Sequence, residues 1–185
     1  RDVQLHGIPA LLLEEGLVPG HAHGFTVAAN VAKPLSRGRV VLVSPDPTAK
    51  PLIVHNYLED PEDVASMVAG VRMAMEICAT EPLAGYSPEL LMGPDSLSDE
   101  DILEKSRAHM QTLYHPVGTC AIEAVVDREL RVLGVEGLRV VDASVMPAVP
   151  RGNTNAPTIA IAERAADLIK GATPLRAGAE AQPTL

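Results

Sequence analysis

Two stretches of this sequence place chemistry-bearing side chains where regular structure gives out. The first is Tyr114-His115-Pro116-Val117-Gly118-Thr119. Pro116 stiffens the backbone after the histidine and holds it out of a helix, and Gly118 allows close approach of a ligand. An imidazole on such a turn is placed for general acid–base work near neutral pH. The plain alternative is a buried histidine hydrogen-bonded to backbone. The second stretch is Val141-Asp142-Ala143-Ser144, followed by Pro150-Arg151-Gly152-Asn153-Thr154-Asn155-Ala156-Pro157 ahead of a helical pattern. A strand, a polar turn and a helix start together make an anion-binding geometry. Backbone amides from Asn153 to Thr158 would point at a ligand, and Asn153 and Asn155 add side-chain donors. Simple capping by Asn or Thr is the alternative there.

Other chemistry-capable residues read as structural or solvated. His6, His21 and His23 lie in a loop-like start, His55 ends a strand, and His109 sits near a helix C-terminus, where a cation suits the dipole. Cys78 and Cys120 cannot build a disulfide scaffold, and nothing has zinc-ligand spacing, so no metal site is expected.

The elements that must position these stretches follow from punctuation and period. Turn signals at Gly7-Ile8-Pro9 and Pro19-Gly20 flank the apolar run Ala10–Leu13, so residues 1–23 read as a connection. Phe25–Val31, Arg39–Ser44 and Leu52–Asn56 are short β-branched runs separated by Pro and Gly, the pattern of an antiparallel sheet. Pro61-Glu62-Asp63 opens a helix ended by Pro82, with Val64, Met67, Val68, Val71, Met75 and Cys78 as its buried stripe. Ser98 and Asp101 resemble a capping box for a helix from Asp99 to about Met110. Beyond it, Val125–Asp127 and Leu138–Val141 read as short strands. A last helix starts at Pro157 and runs to Lys170, with Ile159, Ala162, Ala166 and Ile169 facing inward and Gly171 at the C-cap. The tail 172–185 is small, polar and Pro-containing, and disorder is expected there. No internal repeat is present.

The balance of residue types narrows the function classes. The chain has 185 residues, enough for one or two domains, and is 46% hydrophobic and 21% charged, which supports a packed core. Its only aromatics are Phe25, Tyr57, Tyr86 and Tyr114, and its net charge is −9. The first argues against stacking platforms for single strands and the second against a phosphate-binding surface for nucleic acid, so no nucleic-acid partner is expected. No apolar run approaches the ~20 residues of a membrane span, and no leader is recognisable, so we expect a cytoplasmic protein. It opens at Arg1 within ordinary domain sequence, the mark of a fragment or processed chain.

Three ordered motifs then carry a resemblance. His115-Pro-Val-Gly-Thr-Cys, Leu133-Gly-Val-Glu-Gly-Leu-Arg-Val-Val-Asp-Ala-Ser and the run from Gly152-Asn-Thr-Asn-Ala-Pro through Ile169 closely resemble the C-terminal part of the glucose–methanol–choline (GMC) flavoprotein oxidoreductases. The bacterial choline-dehydrogenase-like alcohol dehydrogenases are the most similar members. Ser36-Arg-Gly-Arg-Val-Val-Leu and Asn56-Tyr-Leu also fit that family's substrate domain, and the resemblance covers about residues 24–171.

The resemblance implies roles for individual residues. His115 falls where the family has the active-site histidine that accepts the substrate hydroxyl proton, while a hydride leaves the same carbon for the flavin. Asn153 falls on the second active-site position and would hydrogen-bond the substrate oxygen. Asp142 and Ala143, the latter usually Gly in the family, would offer backbone to FAD. Thr154 and Asn155 match the stretch along the isoalloxazine edge. The helix from Pro157 would aim its positive end at the ring, electrostatic preorganisation of the anionic reduced form. Arg131 and Val132 align with a segment near the oxygen-reactive face of oxidase members.

One departure matters as much. The family's cofactor grip needs a G-x-G-x-x-G turn between strand and helix, and this sequence has none. The fold class expected is therefore α/β, an α+β substrate portion over residues 1–124 with an antiparallel sheet, then the last strand and helix of a Rossmann-like FAD-binding domain over 125–171. Such a chain is the C-terminal catalytic part of an enzyme oxidising a small alcohol to an aldehyde, inactive until joined to an N-terminal FAD-binding portion of the same enzyme or a partner chain. Two alternatives remain: a free-standing binding module of the same fold, and a flavin-containing lyase acting on cyanohydrins.

Overall fold

The computed structural model describes residues 3–13, 16–17, 23–86 and 89–172. Expectations for His21 and for the tail beyond residue 172 lie outside them. By Cα proximity the chain divides into two units. The first runs to Tyr114 and takes back Pro150–Gly152, and the second holds His115–Val149 and the chain from Asn153 onward. That division falls ahead of the expected 124/125 boundary.

In the first unit, β1 (Val3–Ile8) pairs antiparallel with β4 (Thr26–Val31), with Val3 opposite Val31 and Ile8 opposite Thr26. β2 (Leu12–Leu13) and β3 (Gly16–Leu17) form a short antiparallel pair between them. A separate antiparallel hairpin joins β5 (Arg39–Val41) to β6 (Leu52–Val54). Two expectations are corrected here. The three expected strands do not form one sheet, and the opening segment is a strand rather than a connection. Val3-Gln4-Leu5-His6 alternates apolar and polar residues at the strand period, a signal the flanking turn residues overshadow.

Helix α1 (Pro61–Cys78) lies on the β1–β4 pair. Asp60 caps it by accepting from the Glu62 amide, and Pro61 occupies the first turn, where its missing N–H costs nothing. Its buried stripe includes Val68 and Ala74, with Val64, Met67, Val71, Met75 and Cys78 half-buried. Gly70 is the point of closest approach. A Cβ there would stand 2.7 Å from Val3 Cγ1 and 3.2 Å from Ala29 Cβ, so the helix reaches the sheet only because this residue has no side chain. Asp63, 3% exposed, takes the amides of Leu35 and Ser36 and the Ser36 hydroxyl on its carboxylate, and so fastens the Pro34–Ser36 loop to the helix. Helix α2 (Asp99–His109) begins at Ser98, whose hydroxyl accepts from the Asp101 amide, and buries Ile102 completely. Arg72 reaches from α1 to Asp99 and the Leu97 carbonyl, joining the two helices.

The second unit is mostly irregular. The expected strands Val125–Asp127 and Leu138–Val141 are reduced to single bridges, Ile122–Val126, Val126–Val132 and Arg131–Arg139. Leu138 and Val140 do meet residues 130–132 through Val132 N to Leu138 O and Val140 N to Leu130 O, but the ladder goes no further. A strand persists only as far as its neighbour pairs with it. A 3₁₀ turn spans Ala143–Val145, and α3 (Asn155–Lys170) ends at Gly171 in the left-handed region, φ 67°.

The inward face of α3 also differs from expectation. Ala165 is buried and Ile161 half-buried against Val126, Leu130 and Val145, whereas Ile159 and Ile169 are 54% and 62% exposed. The helix carries apolar residues around more than one face, and periodicity alone does not say which of them the core will use.

Together the two units give a mixed fold of helices and antiparallel strands, consistent with the α/β class.

Candidate active site

His115 lies half-buried on the irregular stretch that follows α2. Its neighbours fix the backbone. Tyr114 takes φ 60°, uncommon for a bulky residue, and Gly118 takes φ 92°. A Cβ at Gly118 would meet the Met146 carbonyl at an ordinary 3.6 Å, so backbone conformation, and not crowding, is what asks for glycine there. The segment after His115 hangs on the 3₁₀ turn. The amides of Gly118 and Cys120 both donate to the Ser144 carbonyl at 3.0 Å, and the Ile122 amide donates to the Val145 carbonyl at 2.9 Å.

Asp142 starts that turn. Its Oδ1 accepts from the Ser144 amide at 2.7 Å and from the Ser144 hydroxyl. Ala143, behind it, is half-buried, and Val145 is fully buried. Val145 shares a cluster with Val126, Leu130 and Ala165, with Ile122 and Ile161 packed against it. The His115 segment, the Asp142 turn and α3 are thus brought into one unit. Sequence patterns do not show the Ser144 carbonyl as their junction, because a backbone acceptor has no residue-type signature.

Thr154 occupies the N-cap place of α3, but with helical dihedrals and no side-chain capping bond. Its carbonyl takes the Thr158 amide and hydroxyl. The first turn of α3 carries no acidic residue, and Pro157 brings no amide. The capping alternative is therefore not realised by the Thr154 side chain. Asn153 and Asn155 are exposed beside it. Arg131 pairs with Glu129 and lies 3.8 Å from Asp127, so its charge is engaged within its own loop.

Among the remaining histidines, His6 sits in β1 opposite Ala28, His55 stacks on Tyr57 with ring centroids 4.9 Å apart, and His109 ends α2. Among the described residues no group of three or more His, Cys, Asp or Glu could hold a metal. No described helix is long and apolar enough to cross a membrane.

His115 and the start of α3 thus belong to one unit of the chain. Residues 34–162 match the C-terminal family model described as GMC oxidoreductase. The chain is 42% identical over 173 residues to an alcohol dehydrogenase [acceptor] of Pseudomonas putida, covering 91% of this chain and 31% of that protein. It is 41% identical over 181 residues to an oxygen-dependent choline dehydrogenase of Rhizobium etli, covering 94% and 33%. Among solved structures, a formate oxidase of Aspergillus oryzae, studied for modification of its FAD, superposes with a TM-score of 0.80 at 28% identity over 92% of this chain and 31% of that one. A fungal aryl-alcohol oxidase superposes with 0.69 at 36% identity, over 77% and 25%. The chain belongs to the GMC oxidoreductases, a family of FAD-dependent enzymes, and it corresponds to their C-terminal portion. It spans about a third of the length of the curated relatives it matches.

The residues present fit part of that cofactor. A helix start with no side-chain cap, flanked by Asn153 and Asn155, offers donors suited to an electron-rich ring edge. The turn that grips a pyrophosphate is not encoded in these residues.

Proposed function

We propose that this chain is the catalytic C-terminal part of a flavin-dependent oxidoreductase acting on the CH–OH group of a small alcohol. The observation that carries the reading is half-buried His115, on a segment whose Gly118, Cys120 and Ile122 amides hang on the Ser144 and Val145 carbonyls, in the same unit as the start of α3. The imidazole takes the proton of the substrate hydroxyl, and the Asn153 carboxamide donates a hydrogen bond to the same oxygen and orients it. FAD, when bound, supplies the acceptor for the hydride that leaves the carbinol carbon. Asp142 and Ala143 would lie along it, with Thr154 and Asn155 at its ring edge. The positive end of α3 favours negative charge in that place, and it does so before the reaction begins.

The first unit is read as the substrate side and the second as the closing piece of the flavin domain. A quaternary ammonium is usually held by an aromatic cage, and this chain has one Phe, three Tyr and no Trp. A neutral primary alcohol is therefore favoured over choline. A cytoplasmic setting is part of this reading. The partner is the N-terminal FAD-binding portion, in the same chain or another.

The test is His115→Ala in the protein joined to that portion, with flavin absorbance followed as alcohols are added. Removing the base lowers turnover by about 10²–10⁴-fold while flavin stays bound. Near-normal turnover in that variant overturns the assignment.

A further inference from the structure

We propose that Asp142 is a positioning residue for His115, acting through the Ser144 carbonyl. This rests on His115 being the base.

The chain of contacts is short. Asp142 Oδ1 accepts both the Ser144 amide and the Ser144 hydroxyl, so one carboxylate oxygen closes the Asp142–Ser144 turn at two points. The turn is completed by backbone bonds from Val145 N to the Asp142 carbonyl and from Met146 N to the Ala143 carbonyl. This sets the direction of the Ser144 and Val145 carbonyls. Those carbonyls are the acceptors for Gly118, Cys120 and Ile122, so every backbone bond named between this turn and the His115 segment ends on them. Val145, fully buried, anchors the far end of the turn in the core, whereas Asp142, at the near end, is exposed. The carboxylate is what holds the exposed end in shape. Gly118, the first residue hung from it, lies three positions after His115 with only Pro116 and Val117 between, and Pro116 is itself stiff. A change in the tilt of the Ser144 carbonyl therefore passes to the imidazole with little slack.

The consequence is kinetic. A base displaced by about 1 Å can lose on the order of 100-fold in rate with binding little changed, because proton transfer depends on alignment in the transition state. Asp142 then has a geometric duty that a charge is not needed for. A carboxamide oxygen can accept the same two bonds, and a methyl group can accept neither.

The experiment compares Asp142→Ala and Asp142→Asn in the protein joined to its FAD-binding portion, at saturating FAD, with His115→Ala alongside. Bound flavin is read from absorbance, and kcat and KM for the alcohol are measured separately. The expected result is a kcat about 10–100-fold lower in Asp142→Ala, with KM within about threefold and flavin retained, because the substitution leaves in place the main chain through which Asp142 would meet FAD. Asp142→Asn restores most of that loss. Positioning is overturned if Asp142→Ala keeps a normal kcat, if it loses flavin or raises KM in place of lowering kcat, or if Asn fails as badly as Ala. His115→Ala separates the two readings. A dead His115→Ala beside a normal Asp142→Ala removes only the positioning role, while an active His115→Ala removes the base on which it rests.

Discussion

His115 and Asn153 both stand on irregular backbone, yet the sequence asks different things of them. The histidine is half-buried and its segment is braced by three amide-to-carbonyl bonds, whereas Asn153 is exposed at the entrance to α3. A neutral amide cannot serve as the base, so its contribution is orientation and one hydrogen bond to the substrate oxygen. Asn153→Ala is expected to cost turnover about 10-fold, clearly less than His115→Ala, since a neutral hydrogen bond is worth about 0.5–1.5 kcal/mol. Steady-state kinetics on both variants checks the ranking, and an Asn153→Ala loss equal to that of His115→Ala contradicts it.

Among the elements, α1 carries two features whose loss is measurable. Burial works to raise the Asp63 pKa, but the Ser36 hydroxyl, the Leu35 and Ser36 amides and the Arg37 charge together hold it below the ordinary carboxylate value. A group with a lowered folded pKa adds stability above its unfolded value, about 3.9, and that stability fades as pH falls through the folded value. Asp63→Ala should therefore lower stability by on the order of 2 kcal/mol at pH 7, by stranding the donors that it satisfies. The gap in thermal midpoint between wild type and variant should shrink as pH drops below about 4. An equal gap at pH 7 and pH 3 would contradict this. Gly70 is the second feature. Gly70→Val puts branched carbon where Val3 Cγ1 already stands within 2.7 Å of a Cβ, and a loss of about 1–3 kcal/mol in denaturant unfolding is the expected result.

Across the whole chain, apolar side chains remain exposed in clusters. Val40, Leu42, Val43, Leu52 and Ile53 line the β5–β6 hairpin, Leu133, Val135 and Leu138 the 130s loop, and Ile159 and Ile169 the outer side of α3. Leu42 is 84% exposed, which is costly for a chain working alone. The chain by itself is expected to associate on size exclusion and to be colourless after FAD is added. A clean monomer holding FAD overturns this, because the cofactor site would then be complete without an N-terminal portion.

Local chemistry made much of this protein legible. Pro61, Ser98, Pro157 and Gly171 mark helix ends by backbone rules that act within a few residues; α2 and α3 begin and end within about two residues of where those rules put them, and α1 begins at Pro61 but stops at Cys78, ahead of Pro82. The motifs around His115, Asp142 and Asn153 announced the family for a similar reason, since reaction chemistry restricts residue type position by position. Pairing was not legible. Val3–Ile8 found Thr26–Val31 across more than twenty residues, the expected three-stranded sheet divided, and α3 turned Ile161 and Ala165 inward in place of Ile159 and Ile169. Each of these is a choice among several available apolar faces, decided by which partner the folded chain brings within contact. The Ser144 carbonyl that holds the His115 segment belongs with them, because a backbone oxygen becomes an acceptor for a particular loop only once tertiary structure has placed the loop beside it.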